Sequence, residues 1–179
     1  MLKGAVACGL GLAAVPRAVL AQDDPASSWP RAGDFLVKVD DETLTPLAPR
    51  DVEMGMPPAM AWARDPADGT VRSGSRLNRV LLVRVAPERM SPETRARAAD
   101  GVVAYTAICT HTGCEVIDFL VNEQLLHCPC HYSKFDPRDG ARVVDGPAPR
   151  PLPALALTVV TGRLVVAEPF TARVGFEQV

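Results

Sequence analysis

Two short segments hold most of the side chains in this chain that can bind a metal: CTHTGC from Cys109 to Cys114 and CPCHYSKFD from Cys128 to Asp136. One residue separates Cys109 from His111, and two separate Cys128 from His131. Each segment, folded as a tight loop, can aim one thiolate and one imidazole at a shared centre. Three readings are open: a two-iron cluster held by two Cys and two His, a single zinc ion with the same ligand types, and core residues with no metal. Zinc has no need of the further cysteines interleaved at Cys114 and Cys130, which favours the cluster.

The loops need a scaffold, and the flanking sequence predicts strands. Residues 34–39 (DFLVKV), 78–85 (NRVLLVRV) and 101–108 read as strands, the last running directly into the first loop. Segments 115–119 and 124–127 bracket Val121, Asn122 and Glu123 as a hairpin that returns the chain to the second loop. Residues 140–144, 154–160 and 163–167 are further short strands, with Thr161-Gly162 as a turn. Met60 to Trp62 is a short strand or turn, and residues 46–58 are ordered loop. Met54, Met56 and Met60 have no His or Cys beside them and read as gap-fillers of a core. Ser91 as N-cap and Pro92 at the first helical position open one short helix over 91–99. Short strands without alternating helical crossovers predict an all-β, antiparallel fold.

At 179 residues the chain fits one domain with a core of its own. Nineteen basic residues against 21 acidic, with no basic block, give no footprint for nucleic acid. Residues 1–21 combine one Lys, an apolar run from Gly4 to Val15 and small residues before Gln22, the outline of a secretory signal, cleaved or retained as an anchor. No twin-arginine pair precedes the run, and Cys8 within it reads as a small apolar residue. Residues 22–33 then read as a linker.

With DGPAPRPL from Asp145 to Leu152, the two loop motifs resemble the Rieske iron–sulfur proteins, in particular the disulfide-containing, high-potential kind of cytochrome bc complexes and of the arsenite oxidase small subunit. The resemblance covers about Val103 to Val166. It implies a β-sandwich over 34–170 with a cluster-binding subdomain at about 109–152, a C-terminal tail over 171–179, and one [2Fe-2S] cluster. It implies Cys109 and Cys128 on the buried iron, His111 and His131 on the outer iron, and a disulfide between Cys114 and Cys130. Gly146, Pro147 and Pro149 correspond to the proline loop that covers the cluster. Ser133 matches a serine that donates to a bridging sulfide, whereas Phe135 stands where bc-type proteins often carry a tyrosine donor. The loss of that donor implies a potential high for the class but below that of a protein with both hydroxyls. Tyr132 replaces the family's usual glycine after the second histidine, where it shields the imidazole edge, meets a partner or packs.

No nucleophile with an adjacent base and no phosphate loop is evident, so no catalytic residue is assigned. The chain reads as a non-catalytic electron-transfer subunit on the periplasmic side, soluble or attached to the outer face of the inner membrane. It would take electrons from a catalytic oxidoreductase subunit and pass them toward a cytochrome c or similar acceptor. The alternative is the Rieske subunit of a quinol-oxidising cytochrome bc complex. A ring-hydroxylase reading fails on histidines: three in the chain, two of them committed, leave too few for a separate mononuclear iron.

Overall fold

A computed structural model describes residues 24–176, and the expected signal or anchor segment lies outside them. As the sequence predicts, the fold is antiparallel β. Among the described residues, eleven strands run in chain order: β1 Phe35–Lys38, β2 Ala59–Arg64, β3 Val80–Arg84, β4 Val102–Thr106, β5 Asp118–Leu120, β6 Leu125–His127, β7 Lys134–Asp136, β8 Arg142–Asp145, β9 Ala154–Leu155, β10 Leu157–Val160 and β11 Arg163–Val166. A seven-stranded sheet has the order β10-β11-β1-β2-β3-β4-β9, and a four-stranded sheet the order β5-β6-β7-β8. β9 pairs with β4 while β10, one residue later, pairs with β11. One bent segment thus joins the two edges of the larger sheet and nearly closes it, removing exposed edge hydrogen-bonding groups.

The run from Val80 to Arg84 is apolar almost throughout because both of its faces are covered. Val80 and Leu82, with Val102 and Ala104 of β4, line the interior of the larger sheet together with Leu36, Ala61, Ala63, Leu155 and Leu164. The alternate residues Leu81, Val83, Val103 and Tyr105 face the opposite way, into a second core shared with the small sheet. Continuing that alternation past β4 sends Ala107 and Cys109 into the second core, and from β6 it sends Leu126 and Cys128 there too. Period-two geometry alone therefore brings both thiols to one side.

The helix α1, Pro92–Arg97, opens as expected, with the Ser91 side chain accepting from the Thr94 N–H. It also holds the small sheet: the Ser91 N–H donates to the Arg138 carbonyl at 2.9 Å and the Gly140 N–H to Thr94 Oγ1 at 2.8 Å. From below, the Tyr105 hydroxyl donates to the Pro137 carbonyl at 2.9 Å. β7 was not expected as a strand; it forms because Phe135, flanked by two charged residues, is fully buried. The expectation for the methionines is corrected at two positions. Met60 packs against the core, but Met54 and Met56 are 56% and 49% exposed on a loop whose Gly55 lies beside Gln124 of the β5–β6 turn.

Residues 24–31, mostly exposed, are tied to the body of the fold by hydrogen bonds at Ser28. Arg72, almost fully buried, reaches Asp34 through Nε at 2.6 Å and Nη2 at 2.9 Å, Asp65 at 3.0 Å and Ser28 Oγ at 2.5 Å. Asn78 Nδ2 donates to the Ser28 carbonyl at 2.8 Å. Asp34→Asn leaves the buried Arg72 with only the partly exposed Asp65 as counter-charge and is expected to cost about 3 kcal/mol of stability in urea denaturation. The double variant with Arg72→Met is expected to recover part of that loss, because the charge left without a partner, Asp65, is partly exposed to solvent and no fully buried charge remains.

Candidate metal centre

The two motif loops have the same backbone construction. In the first, the Cys109 N–H donates to the Cys114 carbonyl at 2.7 Å and the Gly113 N–H to the Cys109 carbonyl at 3.1 Å. In the second, the Cys128 N–H donates to the Ser133 carbonyl at 2.9 Å and the Tyr132 N–H to the Cys128 carbonyl at 2.9 Å. Each loop closes only if the residue before its last position takes a left-handed conformation. Gly113 does so at φ +78°, and Tyr132 does so at +62° despite its side chain. Such a conformation costs a non-glycine residue about 1–2 kcal/mol. The Tyr132 ring, 69% exposed, stacks on His127 at 5.9 Å with 28° between planes, and His127 lies 3.4 Å from Asp118.

The candidate ligands sort into two pairs. Cys109 and Cys128 are free thiols, both about 1% exposed. Burial pushes the Cys109 thiol up to about 11, with Cys128 beside it adding to the shift and the His111 backbone N–H opposing it. A thiol so placed favours the thiolate form only when a cation neutralises it. The rings of His111 and His131 meet edge to face, with centroids 4.7 Å apart and 88° between planes. His131 is exposed and His111 half-buried. His111 Nδ1 is buried with no hydrogen-bond partner, an arrangement costly for a polar atom and suited to a metal ligand. Among the described residues, no three His, Cys, Asp or Glu side chains converge on a single metal-ion position. A thiol pair beside an imidazole pair fits a group with two metal positions better than one zinc ion.

Cys114 and Cys130 are disulfide-bonded, Cα to Cα 6.5 Å, and tie one loop to the other. The segment after β8 closes a third side. Gly146 has φ +86°, and a Cβ built on it would fall 2.5 Å from Ser133 Cα and 2.8 Å from Ser133 N. Here a glycine is required twice over, by conformation and by backbone contact. The fully buried Ser133 accepts the Ala148 N–H at 3.1 Å, leaving its own hydroxyl hydrogen to donate elsewhere. Pro147 and Pro149 flank Ala148 and face outward. Phe135 packs among Cys109, Cys128 and Leu126 in the second core. Two residues not singled out from sequence also hold the loops. Buried Thr110 donates its hydroxyl to the Arg150 carbonyl at 2.6 Å, and Arg76 Nη1 donates to the Gly113 carbonyl at 2.7 Å. Thr110 was legible as the residue between two candidate ligands. Arg76 carries no local signal. Lys134 and Asp136 serve structure: Lys134 lies 3.4 Å from Glu123, and Asp136 holds Arg138 at 2.6 Å.

A model of the Rieske [2Fe-2S] domain matches residues 66–156. The chain is 42% identical over 106 residues to a putative respiratory nitrate reductase subunit Rieske of Haloferax mediterranei, covering 58% of this chain and 47% of that protein. It is 36% identical over 131 residues to the cytochrome bc1 complex Rieske iron-sulfur subunit of Streptomyces lividans, covering 71% of this chain and 75% of that protein. Among solved structures, the soluble domain of Rieske protein II from Sulfolobus acidocaldarius aligns with TM-score 0.39 and 24% identity, over 54% of this chain and 66% of that one. The chain spans less than half the length of the Haloferax relative.

Gly146→Ala is expected to destabilise the protein by about 3 kcal/mol in chemical denaturation, the sum of overpacking against the Ser133 backbone and an unfavourable φ. Gly140→Ala also changes a positive-φ glycine, but the space around it is open, and it is expected to cost about 1 kcal/mol.

Proposed function

Because the chain belongs to the Rieske [2Fe-2S] domain family, we propose that Cys109 and Cys128 ligate the inner iron of its one cluster, and His111 and His131 the outer. The protein is an electron carrier. When bound, the cluster supplies a one-electron couple. The observation that supports the ligand assignment is the sorting of four side chains into a buried thiol pair and an imidazole pair with one orphaned, buried ring nitrogen.

The residues of the chain divide the remaining tasks. Ser133, held by the Ala148 N–H, is positioned to donate to the sulfur atoms and so favour the reduced, more negative state. Phe135 offers only an apolar edge at the equivalent position of the second core. The disulfide and the Gly146 segment keep water from the inner thiols. His131, the exposed imidazole, is the docking edge, and electron transfer there requires no more than a small, transient interface.

The chain serves as the electron-transfer subunit of an oxidoreductase complex on the periplasmic side, passing electrons toward a cytochrome c or similar carrier. The disulfide supports an oxidising compartment. The Haloferax relative, named as a nitrate reductase subunit, supports membership of an oxidoreductase complex. A second reading, the Rieske subunit of a quinol-oxidising bc complex, is favoured by the Streptomyces relative and by the Gly146–Pro149 loop over the site. In that role the exposed imidazole would accept a hydrogen bond from quinol. Among the described residues no helix is long and apolar enough to cross a membrane. Quinol oxidation by the complex that co-purifies with this chain distinguishes the two.

An EPR-monitored redox titration of the purified protein tests the assignment. A reducible two-iron signal at positive midpoint is expected, lost in Cys109→Ser. A midpoint near −150 mV, about the low end of the class, or no iron signal at all, would overturn the high-potential reading. Ser133→Ala is expected to lower the midpoint by removing a donor, and Phe135→Tyr to raise it by adding one. Identical potentials in all three proteins would show that neither side chain reaches the sulfur atoms.

A further inference from the structure

The chain continues past β11, outside the segment matched by the family model, and returns to the metal-centre loops. Its start is anchored on β9 by a reciprocal pair: the Thr171 N–H donates to the Ala154 carbonyl at 2.9 Å, and the Ala154 N–H to Thr171 Oγ1 at 3.0 Å. Val174 is buried. Gly175 lies over Ile108 and Leu77, its absent Cβ 3.7 Å and 3.9 Å from their side chains. Its carbonyl accepts Arg150 Nη2 at 2.5 Å, and the Arg150 carbonyl in turn accepts the Thr110 hydroxyl. A Cβ on Gly113 would fall 2.9 Å from Phe176 Cδ1, so the phenyl edge rests directly on the glycine of the first loop.

We propose that residues 171–176 are a strap that positions the first ligand loop from outside, with Phe176 as its contact residue. The strap touches the loop at Gly113 and the covering segment at Arg150, and it runs beside the buried Ile108 that leads into Cys109. The second loop is held instead by the Gly146 segment at Ser133, and its Tyr132, at the backbone position matching Gly113, stands exposed. The loop that carries the strap is also the one whose histidine, His111, is half-buried with a sealed Nδ1, while His131 of the other loop is open. The strap therefore directs exchange with partners to the His131 side. The proposal rests on the cluster assignment above for its consequence, though not for its geometry.

The test uses the full chain, Phe176→Ala, Phe176→Leu and a chain ending at Gly175. Amide hydrogen exchange is read at 109–114 and, as reference, in β3, and the midpoint is read by EPR titration. Phe176→Ala and the shortened chain are expected to speed exchange at 109–114 about tenfold while β3 is unchanged. They are also expected to raise the midpoint, since water admitted beside the loop favours the more negative reduced state. Phe176→Leu restores both. Unchanged exchange at 109–114, or exchange that rises equally in β3, overturns the strap. Loosened exchange with an unmoved midpoint reduces it to a brace and overturns the positioning role. A parent protein that takes up no two-iron cluster overturns the ligand assignment, and the exchange measurement still decides the strap.

Discussion

Two thiols must lie side by side in a dry core while the imidazoles beside them remain within reach of solvent, and the rest of the architecture follows from this conflict. Residues two apart on a continuous strand share one face, so Cys109 and His111 could not be sent to core and surface without a turn between them. The solution repeated in both loops is to let strand alternation carry the cysteine inward and then to break the strand at once. Cys109 and Cys128 inherit the buried phase of Val103, Tyr105 and Leu126. The tight turn closed by Cys109–Cys114 and Cys128–Ser133 backbone bonds reverses the chain within a few residues and swings each histidine toward the surface. The second core exists because β3 and β4 are apolar on both faces, so the larger sheet can fill its own interior and still offer an apolar floor to the small sheet.

The parts of this arrangement written in local sequence were readable, and the parts made by distant contact were not. Both loops are complete within six consecutive residues, so ligand type, spacing and turn chemistry stood together. The covering loop was readable through the resemblance carried by Asp145 to Leu152 and its position just after the second motif, an ordinary surface turn being the other reading of Gly146 and its prolines. The restraints that lock those loops are another matter. Arg76 reaches Gly113 across 37 positions, Thr110 reaches Arg150 across 40, and Phe176 approaches from beyond the last strand. Nothing in composition or period marks a side chain for a partner so far along the chain. The exposure of Met54 and Met56 was hidden for a related reason: methionine fits a gap or a surface equally, and only the approach of Gly55 to Gln124 decides which. β7 escaped notice because three residues are too few to establish alternation when two of them are charged.

Within the two motif loops, Tyr132 is where a side chain sits in a conformation that favours glycine. The matching residue of the first loop is a glycine, and the backbone there needs a glycine's freedom. A non-glycine residue persists in such a conformation when its surroundings over-determine it. Three restraints do so: the bond from its N–H to the Cys128 carbonyl, the stack on His127, and the disulfide at Cys130 two residues earlier. Its ring remains mostly in water, so burial does not repay the strain. The stack turns the aromatic face toward the small sheet and fixes a bulky group beside the open histidine.

The restraints on the two loops converge instead of acting in parallel. The disulfide joins loop to loop, Ser133 joins the second loop to Ala148, and Thr110 joins the first to Arg150 two residues further on. Loop, cover and loop thus form a closed ring of contacts, and loosening any one member relaxes strain in the others. Contributions within such a ring are not additive, since each bond is made at low entropic cost only while its neighbours hold. All of these ties act on backbone or on groups behind the imidazoles, and none of them uses a ring edge of His131. Rigidity is in that way separated from exposure. The geometry of the two loops can stay fixed while the exposed edge of His131 stays free of intramolecular ties, as the proposed exchange with a partner requires.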